Sequence, residues 1–340
     1  MKNLSIYLSC LLLSVFLLSC SLEDHVLPAQ YDIYVAGYEA NGERSIAKYW
    51  KNGIPVELET LTTSYQLVAT GITVSGSDVH VVGAIQVGND AIGKYWKNGV
   101  LFNGWTNFVP KRLNDVAVSG PDVYLAGYTQ NGTDPQVAAY WKNGTALFLN
   151  DAQNAQATGI VLSGNDLYVS GHKFNDHVLV ARYWKNGIEV NLSDGVHQAL
   201  ANAIAVSGSD VHVVGYGDDQ NNRQVAKYWK NGVETNLTDG TGQAVAYDVA
   251  VQGNDVYVSG FENINGMNHA RVWKNGIPFK TTNDFDYRGI AVPDENVFTA
   301  GANWGNNGFT VASVWKNDTP AYLPGGDGNN YGMSLFVVKK

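Results

Sequence analysis

Charge is scarce in this sequence. Only 16% of its 340 residues are Asp, Glu, Lys or Arg, and the formal net charge is −9. No block of like charge marks a disordered tail. No basic stripe is present either, which excludes nucleic acid as a partner, because phosphate neutralisation by Lys and Arg supplies most of that affinity. Cysteine is nearly absent, with Cys10 and Cys20 alone, so no disulfide framework is expected. No segment of the repeat region carries a helical period, and motifs for nucleophilic catalysis, phosphate binding or dinucleotide binding are missing. The scattered Gly-x-Gly pairs read as turn residues, and no cofactor is expected. His172, His177, His197 and His269 are expected on loops, at spacings that match no zinc pattern. Asp218-Asp219 and Asp284-x-Asp286 offer too few oxygens to hold calcium, so no metal is expected either.

Long apolar runs are missing as well. The one candidate, Leu11 to Leu18, follows a short segment bearing Lys2 and is too short for a membrane span, which needs about 20 apolar residues. It reads as a signal peptide over residues 1–19. Its end, Leu17-Leu18-Ser19-Cys20, resembles a bacterial lipobox, in which the cysteine becomes the diacylated N-terminus. That likeness implies lipidation at Cys20, a membrane partner and an outer-membrane location, with residues 20–30 as a tether. The acidic Ser21-Leu22-Glu23-Asp24 that follows is similar to the export tag of Bacteroidetes surface lipoproteins.

What the chain does have is a repeat. Tyr49-Trp50-Lys51-Asn52-Gly53 returns around Trp96, Trp141, Trp184, Trp229, Trp273 and Trp315, at steps of 42 to 46 residues. Within residues 201–237, Ala203-Ile204-Ala205-Val206 turns at Ser207-Gly208-Ser209-Asp210 into Val211-His212-Val213-Val214-Gly215. A polar stretch then leads to Val225-Ala226-Lys227-Tyr228-Trp229, and Asn231-Gly232 predicts a tight hairpin into Glu234-Thr235-Asn236-Leu237. Four short strands per period make the unit of a β-propeller blade. The chain opens on the second strand of a blade, near Tyr34, and ends on a first strand, near Leu335. The expectation is an all-β, seven-bladed propeller over residues 31–340, with the last strand completing the first blade. The recurrent tryptophans are expected between blades, because stacked repeats need a buried face.

The elements Gly-Ile-Ala-Val, Asp-Val-Tyr-Val-x-Gly and Trp-Lys-Asn-Gly together resemble the bacterial β-propeller repeats of exported proteins. The likeness covers nearly all of residues 31–340 and implies fold rather than chemistry.

Two faces of such a ring differ. First-to-second and third-to-fourth strand turns are minimal, whereas the opposite side carries connections expected to run about six to ten residues, as binding loops on a rigid scaffold do. Only two of nine tryptophans, Trp105 and Trp304, leave the repeat position, and both are expected on that variable side. Near Trp304 in sequence stand Phe285, Tyr287, Tyr331, Asn283, Asn306, Asp327 and Asn330, a mixture of rings, amides and carboxylate suited to sugars. Trp105 and Phe108 would form a separate patch. The favoured reading is a non-enzymatic surface lipoprotein that binds glycan or protein on this face. One alternative is a polysaccharide lyase or hydrolase using Asp115 and Asp248 at the channel mouth, although backbone hydrogen bonding also explains those acids. Another is a structural subunit docking on an outer-membrane partner.

Overall fold

The computed structural model describes residues 27–42, 44–59, 65–88, 90–132, 134–305, 308–326 and 328–340, the side chains of 150–153 excepted. Cys20, the leader and Asp327 lie outside the described residues. Among the described residues, apart from one 3-10 turn at Pro293–Glu295, the regular structure is all strand. Five antiparallel sheets have four strands each, and a sixth has eight. The larger one departs from the seven separate sheets that seven blades would give. Two four-stranded meanders meet in it at a single parallel bridge, Ser45 with Gln66. The strand Ile54–Glu57, which would shield this edge, is only four residues long and pairs from Lys48 onward. At the bridge Ser45 gives its N–H to the Tyr65 carbonyl and its hydroxyl to the Leu67 carbonyl.

The repeated tetrapeptide is a packing and turn device. Trp50, Trp96, Trp141, Trp184, Trp229, Trp273 and Trp315 are the largest fully buried side chains, as the repeat predicts. Asn52 and its equivalents have φ of 50–53°, and the glycines after them 79–88°, the left-handed pair that a type I′ hairpin demands. The asparagine does more than tolerate that backbone. Asn231 Oδ1 accepts from Val211 N at 2.8 Å, while its Nδ2 donates to Asp210 at 2.8 Å. Lys230 pairs with the other oxygen of Asp210 at 2.7 Å. One carboxylate at the start of the second strand thus ties down the hairpin between the third and fourth. The same Asn-to-Asp bond occurs at Asn52, Asn98, Asn143, Asn186 and Asn275. At Asn317 the aspartate is replaced by Asn296, and only the bond to the Val297 amide remains.

The first strand of each unit carries one β-bulge, which re-aims a side chain. In Ala199–Ser207 the break falls between Ala201 and Ala203, so Asn202 is the extra residue. Gly215, opposite Ala201 at the break, explains the glycine inside each second strand: a Cβ there would come within 1.9 Å of the Leu200 carbonyl oxygen. The bulged strands Gln66–Ser75, Arg112–Ser119, Ala155–Ser163, Ala199–Ser207, Ala244–Gln252, Asp286–Ala291 and Asn329–Lys339 all line one axial cavity of about 470 Å³. Its middle is apolar, with Ile72, Val116, Ile160 and Ile204. The last strand pairs antiparallel with Tyr31–Asn41, placing Tyr34 opposite Phe336 and Val35 opposite Leu335. Four-stranded meanders presenting their first strands to a common axis make this a β-propeller.

Some connections on the variable side have the expected length, seven residues between Thr129 and Val137, Asn191 and Ala199, and Asn236 and Ala244, and others are shorter. Between second and third strands, the ladder at Asp255–Ile264 runs on until Asn265-Gly266 closes it, and those at Tyr31–Asn41 and Asp78–Val87 keep pairing as far as Arg44 and Asp90. Paired strands extended past the sheet replace loops there.

Candidate functional site

The strand Phe298–Trp304 carries Trp304 at its exposed end, where the side chain is 56% accessible. Phe285, in the short connection before Asp286–Ala291, meets it edge to face at 5.5 Å and 82°, a favoured aromatic geometry. Asn283 stands on the same connection and is exposed. The opposite wall comes from the neighbouring sheet. Its hairpin, turned by Asn265 at φ 53° and Gly266 at φ 83°, presents Met267, Asn268 and His269. Together these residues line a cleft of about 550 Å³. A half-exposed indole, a phenyl ring and a thioether supply apolar surface, and two amides and an imidazole supply donors and acceptors. Sequence spacing brought together Trp304, Phe285 and Asn283. It missed Met267 and Asn268, although the Asn-Gly dipeptide within a polar stretch signals a rigid hairpin.

Other predicted residues lie elsewhere. Tyr287 is a correction: it is fully buried, packs against Trp315 at 4.7 Å, and bonds through its hydroxyl to Thr282 and Asp284. Its register explains this, because Tyr287 takes the position just before the bulge that Ala69, Ala157 and Ala201 occupy in other sheets. Tyr331 stacks on Tyr38 at 5.0 Å, in the last strand and away from the cleft lining. Asn330 is buried, with its amide bonded to the Gly328 carbonyl. Asp327 and Asn306 fall outside the described residues.

Trp105 is a second correction. Thr106 donates its N–H to the Gly144 carbonyl, so Trp105 sits beside a minimal Asn-Gly turn, on the side opposite the variable connections. There it packs edge-on against Phe102 and Trp141. The strand Val100–Leu101 is only two residues long, and the segment after it lies along the next sheet, where Asn107 bonds to both the N–H and carbonyl of Ala146. Phe108 is exposed but rests against Phe148 at 5.0 Å, and its carbonyl accepts from Trp141 Nε1. Both rings hold that segment down.

Asp115, Asp248, Asp219 and His172 are likewise committed. Asp115 accepts from the amides of Val116 and, on the next sheet, Ile160 at 2.8 and 2.9 Å. Asp248 does the same with Val249 and Ile290 at 2.8 and 3.0 Å. Burial raises these carboxyls to about 6 and about 7. His172 is in a strand rather than a loop, and burial followed by the nearby Arg182 lowers it to about 4. Asp219 is held by Arg223 and by two amides of its own loop, Asn221 and Arg223. Among the described residues, no group of three or more His, Cys, Asp or Glu is placed to hold a metal ion.

No family model matches the chain, and none of the curated proteins does. Among solved structures it is similar to TolB from Acinetobacter baumannii, at 11% identity over 89% of this chain and 66% of that one, with a TM-score of 0.51. It is also similar to a puromycin-hydrolyzing peptidase from Mycobacterium tuberculosis, at 11% identity over 85% of this chain and 53% of that one, with a TM-score of 0.53. The chain thus spans about half of that peptidase. At such identity the likeness is one of fold, and the fold shared with TolB is the β-propeller.

Proposed function

We propose that this chain is a seven-bladed propeller, completed by its last strand, that binds carbohydrate on its variable face without catalysing a reaction. The ring is supported by the packing of each bulged strand on the next, from Gln66–Ser75 round to Asn329–Lys339, which itself touches Gln66–Ser75. The lipobox-like Leu17-Leu18-Ser19-Cys20 supports an exported protein held at the outer membrane through acylated Cys20.

The observation that carries the binding reading is the exposed Trp304 ring fixed edge-on to Phe285 over a cleft edged by Asn283, Asn268 and His269. Pyranose rings stack their C–H faces on an indole, and their hydroxyls need the fixed amides beside it. Trp304→Ala should weaken binding about tenfold or more, as loss of an aromatic anchor does. Affinity electrophoresis through gels containing neutral polysaccharides tests this. Retardation of the wild type that Trp304→Ala abolishes supports it, and identical mobility of both proteins in every gel removes it.

A further inference from the structure

The axial cavity carries a second departure from the repeat. At four bulges, a short side chain bridges to the next sheet's carbonyl: Thr70 to Leu113 at 2.9 Å, Asn114 to Ala157 at 2.7 Å, Thr158 to Ala201 at 2.8 Å and Asn202 to Ala246 at 2.8 Å. These four bonds repeat at one level of the cavity wall. The remaining three bulges hold Tyr247, Arg288 and Met333, which follow one another in chain order. At Tyr247 and Arg288 no bridging bond of this kind forms. The symmetry of the wall stops there, and a cation takes its place.

Arg288 is built in. Its Nε donates to Asp286 Oδ2 at 2.7 Å, and Asp286 is 1% exposed. Its guanidinium lies over the Tyr247 ring at 4.9 Å, and Tyr247 packs on Phe261. These contacts fix the plane of the group, yet among the described residues neither Nη nitrogen has a hydrogen-bond partner. An oriented guanidinium with its outer edge open toward a cavity matches a planar carboxylate, which takes two parallel N–H donors. Across the same cavity Asn202 has used its amide N–H on Ala246, which leaves Oδ1 as an acceptor for a hydroxyl. Below this level Ile72, Val116, Ile160 and Ile204 make the wall mostly apolar, and the carboxyls of Asp115 and Asp248 that interrupt it are turned onto backbone amides, so a ligand would sit at the rim.

We propose that the cavity mouth is a binding site for a hydroxylated carboxylate of hexuronate size, held by the Nη edge of Arg288 and by the side chains at the bulge level. The site is separate from the Trp304 cleft and does not depend on it.

The chain supplies its own reporters. Of three methionines, Met1 is in the leader segment, Met267 lines the cleft and Met333 lines the axial cavity. With methyl-13C-labelled methionine, D-glucuronate should shift the Met333 methyl signal saturably and leave that of Met267 in place. D-glucose and acetate at equal concentration should leave Met333 unmoved. Arg288→Gln should weaken glucuronate binding about tenfold or more, and Arg288→Lys, which keeps the charge but loses the fork, should weaken it as well. Trp304→Ala should bind glucuronate as the wild type does. No Met333 shift with glucuronate overturns the proposal on the wild type alone, whatever the folding of the variants. Equal shifts with glucose or acetate, or unchanged affinity in a folded Arg288→Gln protein, overturn it too. A shift at Met267 alone overturns it and credits the ligand to the cleft.

Discussion

Val35 and Leu335 face each other across an antiparallel ladder, joining the first strand of the described chain to its last. That ladder covers an edge that would otherwise expose unpaired amides and carbonyls. A chain ending at Gly328 should therefore lose its cooperative thermal transition and self-associate on gel filtration. A truncated protein that stays monomeric, with a Tm within about 3 °C of the full chain, would show that the ladder adds little to stability.

Trp229 and Trp304 have the same side chain and opposite roles. Trp229 is fully buried and gives its Nε1–H to Glu234 at 3.1 Å, so Trp229→Ala should cost about 3–5 kcal/mol through lost burial and the cavity left behind. Trp304→Ala removes a largely exposed ring and should change stability by no more than about 0.5 kcal/mol. Urea unfolding of the two variants decides the assignment. A large loss at Trp304 would make that ring structural.

Much of this division was legible in the sequence, because a side chain repeated every blade is constrained by packing, and one that breaks the period is released from it. The period gave the strand order, the Asn-Gly hairpins and the pairing of the chain ends. Tyr287 and Trp105 were misplaced for two local reasons. A bulge shifts the alternation of a strand by one residue, so side-chain direction cannot be read through it without a register. Aligning Tyr287 with Ala157 and Ala201 was the available signal. Trp105 follows a strand cut to two residues, after which the chain lies along a different sheet, and nothing in the local pattern marks that change.

Asn231 tests the turn device. Asn231→Gly keeps a left-handed backbone at low cost and loses only the bonds to Val211 and Asp210, whereas Asn231→Ala loses both and adds left-handed strain of about 1–2 kcal/mol. Alanine should thus be the more destabilising by roughly that amount. Equal midpoints in urea would mean that the φ of 51° at this position carries no cost.

Asp115 and Asp248 give the stability a pH dependence of unusual sign. Their carboxyls are raised by burial to about 6 and about 7 from an ordinary 3.8. At these two groups the folded protein therefore binds protons more tightly than the unfolded chain between about pH 4 and 7, and their contribution to stability falls as pH rises through that window and levels off above it. The outer clamps act in the other direction. Asp219 and Asp194 are lowered to about 2, Asp219 chiefly by Arg223 and Asp194 chiefly by the His197 amide, so their contribution is present above pH 4 and lost only as pH falls toward 2. The two sets are thus separable on the pH axis. His172, His80 and His212, lowered by burial, push stability the other way over the same range, so the test is a difference: in urea midpoints from pH 4.5 to 7.5 the wild type should lose stability relative to Asp248→Asn, which cannot titrate. A difference between the two proteins that stays constant between pH 4.5 and 7 would mean that the two amide bonds at Asp248 outweigh its burial, and that this acid is ionised throughout.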